Sequence, residues 1–195
     1  ALRALSIQAL WVESDPVSQG ADRAHAWFYS VAGGGQRALV CPACAYAALE
    51  PVARFRRAIP VAEVPQPLEE IFTPGSTTID SLAAFLGVPA SRTAKAVFLV
   101  AVNRTVQPAR ETLVFAVVRG DRQLNETALL NHLGAQSLRP AGDDEIRASG
   151  AVPGYASPVG LRGVQVVVDS EIPLSPNLVA GANREGYHLK NVNFG

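Results

Sequence analysis

A chain of 195 residues that is 48% hydrophobic has ample material for a core, which excludes an intrinsically disordered segment. Its 17 basic and 17 acidic residues cancel, so the basic footprint of a free-standing nucleic-acid binder is absent; a nucleic-acid partner would have to be met at a small end or by a larger parent. No run is long and apolar enough to span a membrane, ALRALSIQAL lacks a signal-peptide core, and two cysteines make no disulfide framework, so a soluble cytoplasmic chain is expected.

In chain order, Leu2, Leu5 and Ile7 suggest the tail of a helix turning into a strand near Ala9 to Val12. ESDPVSQG (Glu13 to Gly20) is a turn, and the aromatic, β-branched run Ala26 to Val31 is a strand. Gly33 to Gly35 turns the chain so that Arg37 to Cys41 pairs back on that strand in a hairpin; no GK[ST] follows, so a phosphate loop is not indicated. Cys41-Pro42-Ala43-Cys44 has the spacing of half a zinc knuckle, but His25, His132 and His188 are isolated and supply no second ligand pair. Metal binding, a redox role and simple packing all stay open for the pair.

Ala53 to Pro67 combines three arginines with Pro60, Pro65 and Pro67, which reads as extended chain and a boundary. Thr73-Pro74-Gly75 is a turn, and Thr77 or Thr78 caps a helix running to about Leu86, where Gly87 stops it. Pro89 and Ser91 start a short turn, and Ala96 to Val102 is a buried strand. Lys95, one of only two lysines, stands at the mouth of that strand; its stem lies against the core and its head at the sheet's end, where sites are usually built, although a lysine there can also merely snorkel to water.

A polar turn from Asn103 to Arg110 leads to a second buried strand, Leu113 to Val118, closed by Arg119-Gly120-Asp121. Leu124 to Leu133 is an amphipathic helix capped by Asn125, and Asp143 to Glu145 load acid onto the first turn of a short helix. Gly150 to Gly160 is a loop. Val164 to Val168 is a third strand ending at Asp169, with further strands at Leu178 to Ala180 and near Gly186 to Leu189.

Strands alternating with short helices imply an α+β domain with a mixed, largely antiparallel central sheet and flanking helices, preceded by a small β segment that cannot bury itself alone. The expected division is 1–64 and 65–195. The absence of methionine, even at position 1, suggests a piece of something longer.

Five stretches now gain meaning together: TPGSTTIDSLAAFLGVPASRTAKAV, RGDRQLNE, the Gly154-to-Pro158 loop with PVGL, VVDS, and VAGANREGYHLKNVNFG. In this order they resemble the insertion (editing) domain of bacterial prolyl-tRNA synthetases and its free-standing YbaK-type relatives, over about residues 65–195. WVESD and CPACAYAA resemble the segment of the class II synthetase catalytic domain that leads into the insertion. There the chain departs from the family: GADRAHAWF keeps His25 but has Ala26 where the family has an acid, and its glycines are thinned to Gly20, which points to a diverged paralogue.

The resemblance implies hydrolysis of mischarged aminoacyl-tRNA(Pro), most plausibly Ala-tRNA(Pro). It casts Lys95 as the group that holds the terminal adenosine and phosphate, Gly154 and Pro158 as the GxxxP loop lining the scissile carbonyl, and His188 as the GYH histidine beside the amino-acid pocket. Asp169, at the pocket rim, counts with Tyr187 and Ser157 as substrate-binding. Implied partners are the tRNA(Pro) acceptor end and the rest of a parent synthetase, with a homodimer through the missing catalytic domain. No cofactor or metal is implied for this piece; ATP and Mg belong to a complete parent. An ester is an activated bond, so positioning and oxyanion stabilisation suffice and no nucleophilic triad is needed, or legible. Two alternatives stand beside this: a non-catalytic module that binds the tRNA end or holds the parent together, and a deacylase for another substrate such as Cys-tRNA(Pro).

Overall fold

The computed structural model describes residues 8–17, 20–21, 23–57, 60–104 and 108–194. The helix tail expected before Ala9 lies outside them, as does part of the turn after Asn103. The described strands are β1 (Ala9–Ser14), β2 (Ala24–Tyr29), β3 (Ala38–Val40), β4 (Ala47–Leu49), β5 (Glu69–Phe72), β6 (Ala94–Asn103), β7 (Arg110–Arg119), β8 (Ser137–Pro140), β9 (Val164–Val168), β10 (Leu178–Gly181) and β11 (Tyr187–Val192). The α-helices among the described residues are α1 (Ile79–Leu86), α2 (Glu126–Leu133) and α3 (Asp143–Ala148), and none is long and apolar enough to cross a membrane. The α+β class with mostly antiparallel pairing is as expected.

Two compact units are present: Ala1–Arg56 with Asn125–Ser137, and Arg57–Leu124 with Leu138–Gly195. In the first, the sheet order is β2-β1-β4-β3. Val12 and Ala48 have no exposed surface, and their burial holds β1 beside β4. The hairpin expected between β2 and the next strand does not form. β2 pairs antiparallel with β1, and β3 pairs with β4, a strand too short and alanine-rich to announce itself. β3 and β4 are joined by the Cys41-to-Cys44 turn, with the Cys41 N–H donating to Tyr46 O at 2.8 Å. Asn125 caps α2 by accepting from the Ala128 N–H at 3.0 Å and donates to Pro51 O at 2.8 Å.

In the second unit the long pair β6–β7 is antiparallel through ten register positions, from Ala94↔Arg119 to Asn103↔Arg110, and β9 adds in parallel to β7. β8 lies on the other side of β6. The C-terminal strands make a separate sheet, β10-β11-β5; among the described residues one parallel bridge, Thr93↔Val179, ties it to the residue just before β6. Side chains alternate across a strand, so Ala94, Ala96 and Phe98 share one face of β6, and they pack there with Phe115, Val117, Ile172 and Leu178. Phe98 and Phe115 meet edge to face at 4.8 Å. α1 begins at a capping box in which Thr78 and Ser81 bond reciprocally, and it ends at left-handed Gly87.

Candidate functional site

Lys95 is the second residue of β6, half-buried, and its ammonium donates to Gln123 Oε1 at 3.1 Å. It lies opposite Val118 on β7, and Val117 is in turn opposite Val168 on β9. One step along this register puts Asp169 beside Val118, consistent with the Asp169 N–H donating to Val117 O at 2.9 Å. Lys95, Val118 and Asp169 therefore form one row, with lysine and aspartate about 10 Å apart across two strand spacings. Asp169 is already engaged. It pairs with Arg57 at 2.6 Å and accepts from the Glu171 N–H at 2.8 Å. Buried Glu171 itself pairs with Arg57 at 3.3 Å and Arg122 at 3.2 Å.

The loop from Gly154 to Pro158 is held chiefly by one residue, Asn183. Its Oδ1 accepts from the Ser157 N–H at 2.8 Å, its Nδ2 donates to Ser157 O at 2.9 Å and Val159 O at 2.8 Å, and its own N–H donates to Tyr155 O at 2.8 Å. Asn183 takes a left-handed conformation (φ 52), which asparagine tolerates better than most residues. Gly154 is exposed, has φ +80, and lies so close to Thr77 that an added Cβ would meet that side chain at 3.1 Å. Gly181, at the end of β10, approaches closer still: an added Cβ would fall 2.2 Å from Ala156 O and 2.3 Å from Tyr155 O.

Gly120, in the turn that closes β7, is packed tightly: a Cβ there would meet Thr93 Oγ1 at 1.9 Å, Ala90 O at 2.6 Å and Ile79 Cγ2 at 3.0 Å. The start of α1 thus packs against the turn after β7, and Thr77, two residues before α1, lies against Gly154. Ala156, two residues further along the loop, packs against the same core cluster as Ala94 and Ala96. Gly154 thus lies against Thr77 and Ala156 against the core cluster.

His188 in β11 is 4% exposed. Its Nδ1 is 2.7 Å from Thr73 Oγ1 and its ring lies 5.3 Å from that of Tyr155. Burial pushes its pKa down from 6.5 to about 4, so the ring is neutral at physiological pH. The sign of the linked stability follows. The unfolded chain takes up the proton near 6.5 and the folded chain only near 4, so stability is full above the first value and declines as pH falls toward the second. Stability is expected to drop by about 3 kcal/mol between pH 7.5 and pH 4 from this group. Urea titrations of the chain and of His188→Asn across that range check it, since the variant loses this part of the slope.

The structure therefore links Gly154, Ser157, Pro158 and His188 through Tyr155 and Asn183, and sets Lys95 and Asp169 in one row of the β6-β7-β9 sheet. Tyr187 is not brought in. It points to the other face of β11 from His188, where its ring is 5.2 Å from that of Phe72 and the Arg184 guanidinium stacks over it at 3.7 Å. Asn183, Gly181 and Thr73 are the contributors that residue chemistry alone did not single out; each falls within a stretch of the resemblance, VAGANREGYH or TPGST. Asn183→Ala is expected to cost about 2–4 kcal/mol, from three side-chain hydrogen bonds and the strain of alanine at positive φ. Asn183→Gly should recover about 1 kcal/mol of that loss, read from denaturant midpoints of the two variants.

Residues 73–195 match the family model of the aminoacyl-tRNA editing domain. The chain is 48% identical over 185 residues to the proline–tRNA ligase of Salinispora tropica, covering 94% of this chain and 31% of the ligase. It is 39% identical over 193 residues to the proline–tRNA ligase of Dehalococcoides mccartyi, covering 99% of this chain and 32% of that ligase. The chain thus spans about a third of the length of these curated relatives. Among solved structures it is similar to a protein described as a candidate trans-editing enzyme for prolyl tRNA synthetase, at 19% identity and TM-score 0.53 over 64% of this chain and 76% of the other. A hypothetical protein, APE2540, gives TM-score 0.53 at 23% identity over 64% of this chain and 79% of the other. At these identities the structural likeness establishes the fold.

Proposed function

The chain belongs to the aminoacyl-tRNA editing domain family through residues 73–195, and from that premise we propose that it hydrolyses the ester of mischarged aminoacyl-tRNA(Pro), with Ala-tRNA(Pro) the preferred substrate. The observation that carries this reading is the Gly154-to-Pro158 loop, locked by Asn183 so that the peptide at Gly154 is exposed. Among the described residues, the Gly154 and Ala156 N–H groups have no protein partner, which leaves them to receive a developing oxyanion. A neutral His188 beneath the loop keeps its hydrogen-bonding capacity without adding charge to the pocket.

In this reading water is the nucleophile, assisted by the neighbouring ribose hydroxyl, and no cofactor takes part. Water's oxygen attacks the ester carbonyl, the tetrahedral oxyanion rests on the loop N–H groups, and its collapse expels the ribose oxygen, which takes up a proton. Lys95 binds the terminal phosphate and so sets the ester against the loop. Discrimination in this reading is steric: a site sized for alanine excludes the larger proline ring, a direction in which sieves are firm. Asp169, held by Arg57, shapes the rim rather than reacting. The parent would be a cytoplasmic proline–tRNA ligase or a diverged paralogue, which supplies ATP and Mg chemistry, most of the tRNA contacts and any dimer interface.

The diverged segment around His25 favours a second reading, a non-catalytic module that binds the acceptor end or holds the parent together. A panel of Ala-, Cys- and Pro-tRNA(Pro), with parallel titration of an acceptor-stem mimic at two salt concentrations, decides. The proposal expects fastest release of alanine. Salt-sensitive binding with no release above the spontaneous rate replaces it by the second reading, and preferential release of cysteine reassigns the substrate.

A further inference from the structure

The editing reading leaves the Cys41-to-Cys44 turn of the first unit unused. We propose that Cys41 and Cys44 are a redox-active dithiol that closes to an intramolecular disulfide on exposure to a hydroperoxide. The inference does not rest on the editing reading.

The turn places the two cysteines three residues apart in one tight chain reversal. The Ala45 N–H donates to Cys41 O at 3.0 Å, with Ala45 in the left-handed region at φ 56, and the Cys41 N–H donates to Tyr46 O at 2.8 Å. The turn thereby folds back on Cys41. The Cys44 and Ala43 backbone N–H groups and the Cys44 thiol act on the Cys41 sulfur. Those donors, led by Cys44 N–H, hold the Cys41 thiol below its ordinary pKa, and such thiolates are the reactive form. Cys44 is exposed and Cys41 half-buried, so small oxidants reach the turn. A metal would need further ligands, and among the described residues no third histidine, cysteine or acid joins the pair. A disulfide needs only the two sulfurs present.

The steps balance with the hydroperoxide as sole oxidant. The Cys41 thiolate attacks the distal peroxide oxygen, the O–O bond breaks, and the leaving alkoxide or hydroxide takes a proton from water; Cys41 becomes a sulfenic acid. Cys44 then attacks that sulfur, the S–S bond forms, and the S–OH oxygen leaves as water with the Cys44 proton. Two thiols are oxidised by two electrons and one peroxide is reduced. In a reducing compartment such a pair acts transiently, as a sensor or a protective sink.

The test treats the whole chain with hydrogen peroxide and reads mass, dimedone adducts and the order of alkylation. Wild type is expected to lose both alkylatable thiols and the mass of two hydrogens, reversibly with dithiothreitol and without a dimedone adduct. Cys44→Ser is expected to accumulate a dimedone adduct on Cys41. In the untreated wild type, which needs no variant to fold, Cys41 should alkylate before the more exposed Cys44. Retention of both thiols under peroxide that oxidises glutathione, alkylation of Cys44 first, or only intermolecular disulfides would each overturn the proposal.

Discussion

Lys95→Ala is expected to lower the single-turnover deacylation rate of Ala-tRNA(Pro) by about 10²–10³-fold, the range for losing one group aimed at charge in a reacting complex. The fold should hardly notice. The ammonium's protein partner is Gln123, at 3.1 Å, and a single exposed bond of this kind contributes little to stability. Its neighbours in β6, Ala94 and Ala96, carry the packing into the Phe115 core. Lys95→Arg should recover only part of the rate, because a planar guanidinium fork does not occupy the place of a compact ammonium. Gln123→Ala, which frees the ammonium without removing it, should have a smaller effect than either. If Lys95→Ala keeps more than a third of the wild-type rate with unchanged melting, the lysine has no part in the reaction.

Gly181→Ala should be nearly as damaging to activity, for a different reason. The backbone of Gly181 is not in the left-handed region, so the effect of the new methyl is steric. A Cβ at 2.2 Å from Ala156 O and 2.3 Å from Tyr155 O cannot be accommodated without moving the loop or the end of β10. Overpacking of this kind typically costs about 1–3 kcal/mol, and moving a reacting geometry by about 1 Å can cost about 10²-fold in rate. Gly35→Ala is the matched control, since a Cβ there meets nothing within 4 Å and φ is not positive. Thermal melts and deacylation rates of the two variants separate the cases. Equal behaviour would mean that the close approach of β10 to the loop has no functional weight.

Where local chemistry was strong, the sequence was readable. Thr78 and Gly87 bracket α1 with a capping box and a left-handed stop, Asn125 caps α2, and the apolar runs of β6 and β7 could hardly be anything but buried strands. The strands that escaped are those without a pattern of their own: Glu69–Phe72 is half acidic, Ser137–Pro140 ends in proline, and Ala47–Leu49 is three residues long. They are strands because a neighbour supplies the hydrogen-bond ladder. The misplaced hairpin has the same origin, since Gly33 to Gly35 signals a turn but cannot say which strand receives the chain after it.

The site shows a similar division. Lys95, Gly154 and His188 enter the candidate site through the motif resemblance. The clamp on that loop, Asn183 reaching back about 26 positions to Ser157, is a long-range contact that no local spacing announces. Tyr187 marks the limit of motif reasoning: it sits next to His188 in sequence, and strand alternation sends it to the opposite face.

The proposed chemistry depends on a steric sieve in which the pinned Gly154-to-Pro158 loop meets the ester while Lys95 holds the terminal phosphate, so that an alanyl ester is accepted and a prolyl ester is not. The most direct test is the ratio of single-turnover hydrolysis rates for Ala-tRNA(Pro) and Pro-tRNA(Pro) with the same chain at the same concentration. A steric sieve predicts rapid loss of alanine and a proline rate no faster than spontaneous hydrolysis. Equal rates for the two esters, or none above background for either, would contradict it.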